Sequence, residues 1–432
     1  MTRTLQAATL FALVCGALST FNFVSIGDWG CVPIGGYHEQ DELIVAQTFQ
    51  QAATELNARF VLNTGDNFYY CGVHNKTDAM WDSTFENVYT SESTMVPWYG
   101  CLGNHDYGYP GSATAQLEYV SPKNNRWVMP DRYYYKRLSF PGEVNISLVV
   151  MDASPCQSDY VNDNPKYWDP CGSVIPGCPG CTFHANIIKQ YCATQLTWLN
   201  QLLPTIPADD WKIVMIHAPA GDIDVSDLIT PLQHANFDMY INGHVHLLTH
   251  YTMDNAGTYI TTGAACMVRV PSAAAEKKVE MPEVRLRTSS CPYSSNNGHS
   301  CQVVWEQVIA GYTTHSFNSD FSTLSTMFYD YDGNLLHTAV TQKGGSSGSG
   351  SGATPSPADS SSSAATPTPA DSSSSNGESS SSSGSCCYYS SASCSRGQTC
   401  CDAEGKSYGE YYCKENGAAH HCKWEDSKCI VE

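Results

Sequence analysis

Residues 21–30 read Phe21-Asn22-Phe23-Val24-Ser25-Ile26-Gly27-Asp28-Trp29-Gly30, an apolar run that breaks on a glycine and is followed at once by an aspartate. Dense Val, Ile and Phe content is what a strand covered on both faces requires. The same pattern recurs at 60–63, 146–151, 212–216 and 239–241. Between these runs, residues 41–57 place Leu43, Ala46, Gln47, Phe49, Ala53 and Leu56 near a helical period, and residues 190–203 carry Leu196, Leu199 and Leu203. Buried strands alternating with helical patterns predict one layered α/β domain over residues 20–343.

The polar residues of interest follow the runs. They are Gly27-Asp28-Trp29-Gly30, Gly65-Asp66-Asn67-Phe68-Tyr69, Gly103-Asn104-His105-Asp106, His217 and Gly243-His244-Val245-His246. In an open α/β sheet, ligands bind beyond the carboxyl ends of the strands, so these ends can converge on one crevice. Oxygen and imidazole donors suit hard or borderline metal ions, and the glycines let the backbone turn sharply beside them. Taken singly, an Asp after a strand is a turn or cap residue, and a lone histidine is structural. In Gly-His-Val-His, alternation along an extended segment sends both imidazoles the same way. All five in this order predict a metal pocket.

Together these motifs resemble the purple acid phosphatases of the metallophosphoesterase superfamily, particularly the small animal-type, tartrate-resistant enzymes. Val32-Pro33, Val96-Pro97-Trp98-Tyr99 and Gln195-Leu196-Thr197-Trp198-Leu199 extend the resemblance over roughly residues 20–340, with nothing for the tail. It implies a four-layer αββα sandwich. It further implies that Asp28, Tyr69 and His246 hold iron(III), that Asn104, His217 and His244 hold a divalent iron, zinc or manganese, and that Asp66 bridges the two. The superfamily pattern starts Asp-x-His; here Gly30 stands in the histidine's place and Tyr69 fills the gap. A phenolate is a hard anionic donor suited to a trivalent ion.

Two cations about 3.5–4 Å apart neutralise a phosphate and stabilise attacking and leaving oxygens together. The implied reaction is hydrolysis of a phosphate monoester by metal-bound hydroxide, with His105 hydrogen-bonding the substrate or protonating the leaving alkoxide. A second enzyme reading keeps the fold and changes the substrate to a phosphodiester, nucleotide or phosphoprotein. A secreted binding protein with a vestigial phosphatase domain is the reading from another class, and the intact ligand set opposes it. The sequence departs from the small enzymes in its segments 156–192 and 271–302, and in offering only His234 between His217 and His244. That histidine sits in a helical pattern and receives no role.

Composition bounds the setting. The 432 residues carry 22 Lys+Arg against 42 Asp+Glu, a formal net charge of −20, with a pI near 5.0. Such a field opposes nonspecific binding to nucleic acid or to an anionic membrane. Twenty cysteines indicate an oxidising compartment. Arg3, the apolar run 5–18 and the small residues Ala17 and Ser19 have the order of a secretory signal over residues 1–19. No other run approaches the roughly 20 apolar residues of a membrane span. The expected location is extracellular, with lysosome or vacuole also open. Asn75-Lys-Thr77 and Asn145-Ile-Ser147 are glycosylation sequons.

Residues 344–385 turn to Ser, Gly, Thr, Pro and Ala, a linker too poor in apolar surface to fold. Residues 386–432 hold eight cysteines and read as a disulfide-held module. Its Tyr388, Tyr389, Tyr408, Tyr411, Tyr412 and Trp424 either stack on sugar rings of a polysaccharide or cell-wall polymer or pack on the disulfides. Segments 156–192 and 271–302 read as surface insertions stapled by disulfides. The catalytic part keeps an odd number of cysteines, so one is left over or pairs elsewhere. Cys178-Pro-Gly-Cys181 is weak as a redox motif among so many thiols.

Overall fold

The computed structural model describes residues 21–32, 36–162, 178–268, 291 and 298–344, with four short strands in the tail. The signal sequence, nearly all of the linker, most of 271–302 and part of 156–192 lie outside the described residues. Contacts divide the chain into Met1–Ser351 and Gly352–Glu432. In the second unit Cys387–Tyr388 pairs with Cys400–Cys401, and Cys422–Glu425 pairs with Lys428–Val431.

In the first unit the apolar runs form the centres of two seven-stranded sheets. Chain order gives β1 (Asn22–Ile26), β2 (Val61–Asn63), β3 (Trp98–Gly100), β4 (Trp127–Val128), β5 (Tyr134–Ser139), β6 (Asn145–Met151) and β7 (Trp211–Ile216). It continues with β8 (Met239–Asn242), β9 (Leu248–Met253), β10 (Ala256–Thr262), β11 (Cys301–Gln307), β12 (Gly311–Phe317), β13 (Thr323–Asp330) and β14 (Leu335–Gln342). One sheet runs β14-β13-β12-β1-β2-β3-β4 and the other β11-β9-β10-β8-β7-β6-β5. β1 to β4 are parallel, as are β6, β7, β8 and β10. The five expected strands all appear, within one residue of their predicted limits. The carboxyl ends of β1, β2, β3, β7 and β8 carry the polar motifs, so topology alone brings those motifs to one edge.

One strand outside the expected five, β12, is polar inside. β12 buries Thr313, Thr314 and His315, and the side chains of Thr313 and His315 find hydroxyl partners on neighbouring strands. Ser25 Oγ is 2.8 Å from His315 Nε2, and His315 Nδ1 is 2.9 Å from Thr326 Oγ1. Burial pushes the His315 imidazole down to about 3, so it stays neutral in its hydroxyl cage.

The helix expected at 41–57 runs Gly36–Glu55, and its buried stripe is phased differently. Val45, Ala46, Phe49 and Ala53 face the core, whereas Leu43 is 43% exposed and Gln47 is exposed. Glu42 takes the place on that stripe that Leu43 was expected to hold. Its Oε2 accepts the backbone N–H groups of Cys31 (2.6 Å) and Val32 (2.7 Å), closing the loop that follows Gly30. The second helix, Cys192–Leu202, buries Leu199 with Gln195; Leu196 and Leu203 are partly buried. Gln195 accepts the N–H of Asp152 (3.0 Å) and donates to its carbonyl (2.8 Å), pinning the end of β6. Among the described residues no helix is long and apolar enough to cross a membrane.

Burial raises the Glu42 carboxyl well above its usual range, with the two backbone N–H groups opposing. A carboxyl whose folded pKa lies above its unfolded one stabilises the fold fully below about pH 4.5 and progressively less as pH rises. Glu42→Gln removes that titration. Its Tm should match the parent's near pH 4 and exceed it by roughly 2–5 °C at pH 8. Thermal melts across that range check this; a pH-independent difference would contradict it. His315 acts in the opposite sense, below about pH 6.5, and is common to both proteins.

The cysteines pair in part as expected. Cys156–Cys192 and Cys291–Cys301 staple the two insertions, although Cys156 and Cys192 are buried in the core rather than at the surface. Cys178 pairs with Cys71, not Cys181, which disposes of the redox reading of Cys178-Pro-Gly-Cys181. A fourth bridge joins Cys31 to Cys266. Cys101, buried, is the one free thiol among the described residues.

Candidate metal centre

Asp28 follows β1, Asp66 and Tyr69 follow β2, Asn104 and His105 follow β3, His217 follows β7, and His244 and His246 follow β8. One sheet therefore supplies oxygen donors with His105, and the other supplies three imidazoles. They meet at the seam between the sheets. Asp28, Asp66, Asn104 and His217 are essentially inaccessible to solvent, and Tyr69 nearly so.

Two groups of donor atoms form, each within a 4.8 Å span: Asp66 with His217 and His244, and Asp28 with Asp66 and His246. Asp66 belongs to both. Asn104 joins the first group, its Oδ1 lying 3.2 Å from His217 Nε2 and 3.0 Å from His244 Nδ1. Tyr69 joins the second, its hydroxyl lying 3.1 Å from each of Asp28 Oδ1, Asp66 Oδ2 and His246 Nε2. The structure thus brings together all the residues expected as ligands.

The backbone is held in place to achieve this. Asp28, Asp66 and His244 all adopt positive φ (56°, 52° and 71°), a region costly for residues with a Cβ and concentrated at functional sites. The His244 backbone N–H donates to both carboxylate oxygens of Asp28, at 3.1 and 3.0 Å. The expectation that Gly-His-Val-His is extended is corrected here. The chain bends from Gly243 to Leu247, with bonds from Val245 N to the Gly243 carbonyl and from Leu247 N to the Val245 carbonyl. The bend sends His244 and His246 to different donor groups. Gly30 has no space for any side chain, since a Cβ there would lie 2.1 Å from the Asn67 carbonyl oxygen. A histidine at that position is sterically excluded.

Second partners orient the rings. The Thr64 carbonyl accepts from His217 Nδ1 (2.8 Å), which leaves Nε2 facing Asp66. The Met267 carbonyl accepts from His246 Nδ1 (3.4 Å). The Tyr70 carbonyl accepts from His105 Nδ1 (2.6 Å), which directs Nε2 to 4.0 Å from Asp66 Oδ2. Such carbonyl partners fix the tautomer a metal-binding histidine needs. His105 stacks obliquely on Tyr69 and is 8% exposed, bordering the centre.

Asp106 has a role that the sequence motif alone does not assign. It is fully buried, and its carboxylate accepts the N–H groups of Asn67 (3.0 Å) and Gly103 (2.8 Å) and the amide of Gln116 (2.9 Å). It ties the loop bearing Asp66 to the loop bearing Asn104. Its place inside Gly103-Asn104-His105-Asp106 was the available signal.

The electrostatics fit a cation site. Burial raises the Asp66 carboxyl, but the imidazoles of His217, His105 and His244 outweigh it and hold the group far below the usual carboxylate range. Burial alone would depress His217, yet Asp66 and Asp28 lift it to about 10. Burial, then the charges of Asp28 and Asp66, push the Tyr69 hydroxyl well above its ordinary value. Two buried carboxylates and a phenol that ionises only beside strong positive charge make a donor set for hard, highly charged ions.

Comparison with known proteins agrees with this chemistry. The profile of the calcineurin-like phosphoesterase family matches residues 21–248. Tartrate-resistant acid phosphatase type 5 of Homo sapiens is 30% identical over 288 residues, covering 64% of this chain and 82% of that protein. Purple acid phosphatase 3 of Arabidopsis thaliana is 32% identical over 255 residues, covering 56% and 63%. Among solved structures, "GAP50 the anchor in the inner membrane complex of Plasmodium" superposes with a TM-score of 0.51 at 19% identity, covering 75% of this chain and 89% of that one. That last likeness concerns the fold alone. On the family profile and these relatives, the chain belongs to the purple acid phosphatases of the calcineurin-like phosphoesterase family and is a phosphatase.

Proposed function

We propose that this phosphatase is a secreted, binuclear-metal acid phosphatase that hydrolyses phosphate monoesters. The observation that carries the reading is the pair of donor groups sharing Asp66. Asp28, Tyr69 and His246 would hold iron(III), and Asn104, His217 and His244 a divalent iron, zinc or manganese, with Asp66 common to both. When bound, these cations would supply Lewis acidity, screening the phosphate's charge and acidifying water. Tyr69 is the reason to prefer iron(III), since a phenolate is a hard anionic donor.

The chain's own groups do the rest. Asp106 ties the loop bearing Asp66 to the loop bearing Asn104, and the His244 backbone N–H, donated to Asp28, offsets part of the repulsion between the buried carboxylates. His105 borders the centre with Nε2 inward, placed to hydrogen-bond a phosphate ester or to pass a proton to the departing alkoxide. Its removal should cost about 10²-fold in kcat. His105→Ala is therefore expected to lose activity while keeping its full metal complement, measured by turnover and elemental analysis on one preparation. Loss of the metals in that variant would make His105 a structural residue instead.

Parallel rates on para-nitrophenyl phosphate and bis-para-nitrophenyl phosphate at pH 5 test the substrate class. A clear preference for the monoester supports the reading; a preference for the diester overturns it. Secretion rests on the signal at 1–19 and the cysteine content. Asn75 is exposed, and Asn145 opens β6 half-buried beside Ser139; both are proposed glycosylation sites, which a mobility shift on enzymatic deglycosylation would reveal. The module 386–432 is proposed to bind a polysaccharide or cell-wall polymer. Its deletion should leave turnover of soluble substrate unchanged and reduce retention on such a polymer. Equal retention would refute the targeting role.

A further inference from the structure

Tyr69 sits between two disulfides that lie far apart in sequence. The Cys31–Cys266 bridge and the Tyr69 ring form one small buried cluster, against which Tyr70 and Met267 pack. Cys71, two residues beyond Tyr69, is bridged to Cys178 in the 156–192 insertion. The first bridge fixes more than the ring. Cys266 N donates to the Asp28 carbonyl (2.9 Å), Tyr69 N donates to the Gly30 carbonyl (2.9 Å), and Met267, next in chain, offers its carbonyl to His246. The second bridge is reinforced from the insertion. Asn186 Nδ2 donates to the carbonyls of Tyr107 (2.7 Å) and Tyr109 (3.2 Å), Thr182 N donates to that of Gly108 (2.8 Å), and Tyr109 N donates to that of Cys71 (2.9 Å).

We propose that Cys31, Cys266, Cys71 and Cys178 are positioning residues for Tyr69, their two disulfides holding the segment 69–71 at two points, one against the Tyr69 ring and one at Cys71, so that the phenol oxygen stays at the junction of Asp28, Asp66 and His246. The inference rests on Tyr69 being a metal ligand. Short hydrogen bonds and a buried ring already place this segment, and the bridges remove the remaining freedom of a loop that carries a ligand on no regular element. A ligand displaced by about 1 Å can cost up to 10²-fold in rate. The insertion thereby acquires a role beyond decoration, because one of its cysteines is covalently two residues from the centre.

The Cys291–Cys301 bridge provides a comparison. Cys301 pairs in register with Met253, at the far end of β9 from Leu248, the end that adjoins His246. The test uses the secreted full chain purified with its own metals, as Cys31→Ala/Cys266→Ala, Cys71→Ala/Cys178→Ala and Cys291→Ala/Cys301→Ala double variants. The readouts are kcat and KM for para-nitrophenyl phosphate, the tyrosinate-to-iron absorption band and metals per chain, all taken well below each melting temperature. Each clamp variant should lose about tenfold in kcat with KM nearly unchanged, and its band should move or broaden. The Cys291–Cys301 variant should keep the parent's kcat and band.

Clamp variants with the parent's band and kcat would overturn the inference while leaving the metal assignment standing. A parent protein without the band or without metals would overturn the ligand assignment and the clamp with it. Asn186→Ala, which cuts the insertion's hydrogen bonds without touching a cysteine, covers the case of a variant that does not fold. It should lower kcat in the same direction by a smaller factor, and an unchanged kcat and band would count against the Cys71 arm.

Discussion

Asp66→Asn should lower kcat by at least ~10³-fold, equivalent to about 4 kcal/mol of transition-state stabilisation, and reduce the metal content below two per chain. Asp66 is the one carboxylate common to both donor groups, and its loss removes negative charge from each at once. Asparagine is the informative replacement. Asp66 sits at φ 52°, a conformation that Asn tolerates nearly as well as Asp and that alanine adopts only at a cost of about 1–2 kcal/mol. The Asn variant should therefore still fold, its melt lowered only by the stabilisation the lost metals supplied, and its defect then belongs to charge rather than to strain. Turnover with para-nitrophenyl phosphate, elemental analysis and a thermal melt on the same sample check all three parts. Full activity in Asp66→Asn would remove the centre from the account.

Gly103→Ala is the second large effect, and it acts purely through space. A Cβ at residue 103 would lie 2.1 Å from Asp66 Oδ1 and 2.4 Å from the Asp66 backbone nitrogen, well inside van der Waals contact. Either Asp66 or the Gly103 backbone has to move. Both are tied down: His105 N donates to Asp66 Oδ1 at 2.9 Å, and Gly103 N donates to Asp106 at 2.8 Å. One added methyl group should thus displace the shared ligand and cost roughly 10²-fold in kcat, along with 1–3 kcal/mol of stability from the overpacked site. A crystal structure or a metal titration of the variant would show whether both donor groups suffer. Parental kinetics would mean that Asp66 does not need its present position.

Much of the site is legible in the sequence because parallel strands do the assembling. Asp28, Asp66, His217, His244 and His246 each follow a short apolar run, and once those runs are central strands their carboxyl ends share an edge; Asn104 follows β3, whose three residues, Trp98–Gly100, carry no Val or Ile run to mark a strand. Tyr69 is harder to read, since it lies in a loop and is reached only through the missing histidine at Gly30. The structure supplies the steric reason for that gap: the Asn67 carbonyl occupies the space.

Other features leave little trace in residue types. The bend at His244 depends on a positive φ that a histidine does not advertise, so an extended reading was the natural one. β12 hides because Thr313, Thr314 and His315 look like surface residues until Ser25, Thr262 and Thr326 are known to surround them. The helical stripe on Gly36–Glu55 was misphased at Leu43 because Glu42, a residue seldom fully buried, earns its place by binding two N–H groups of a distant loop. Disulfide partners are the extreme case. Cys31–Cys266 spans 235 residues and Cys71–Cys178 spans 107, and no local rule connects such positions.

The most direct test of the metal centre is elemental analysis of the purified full chain combined with its visible absorption spectrum, before and after Tyr69→Phe. The protein should hold two metals per chain, one of them iron, and show a tyrosinate-to-iron band that disappears in the Phe variant. Fully active protein with less than one metal per chain, or a band that survives in Tyr69→Phe, would contradict the metal assignment.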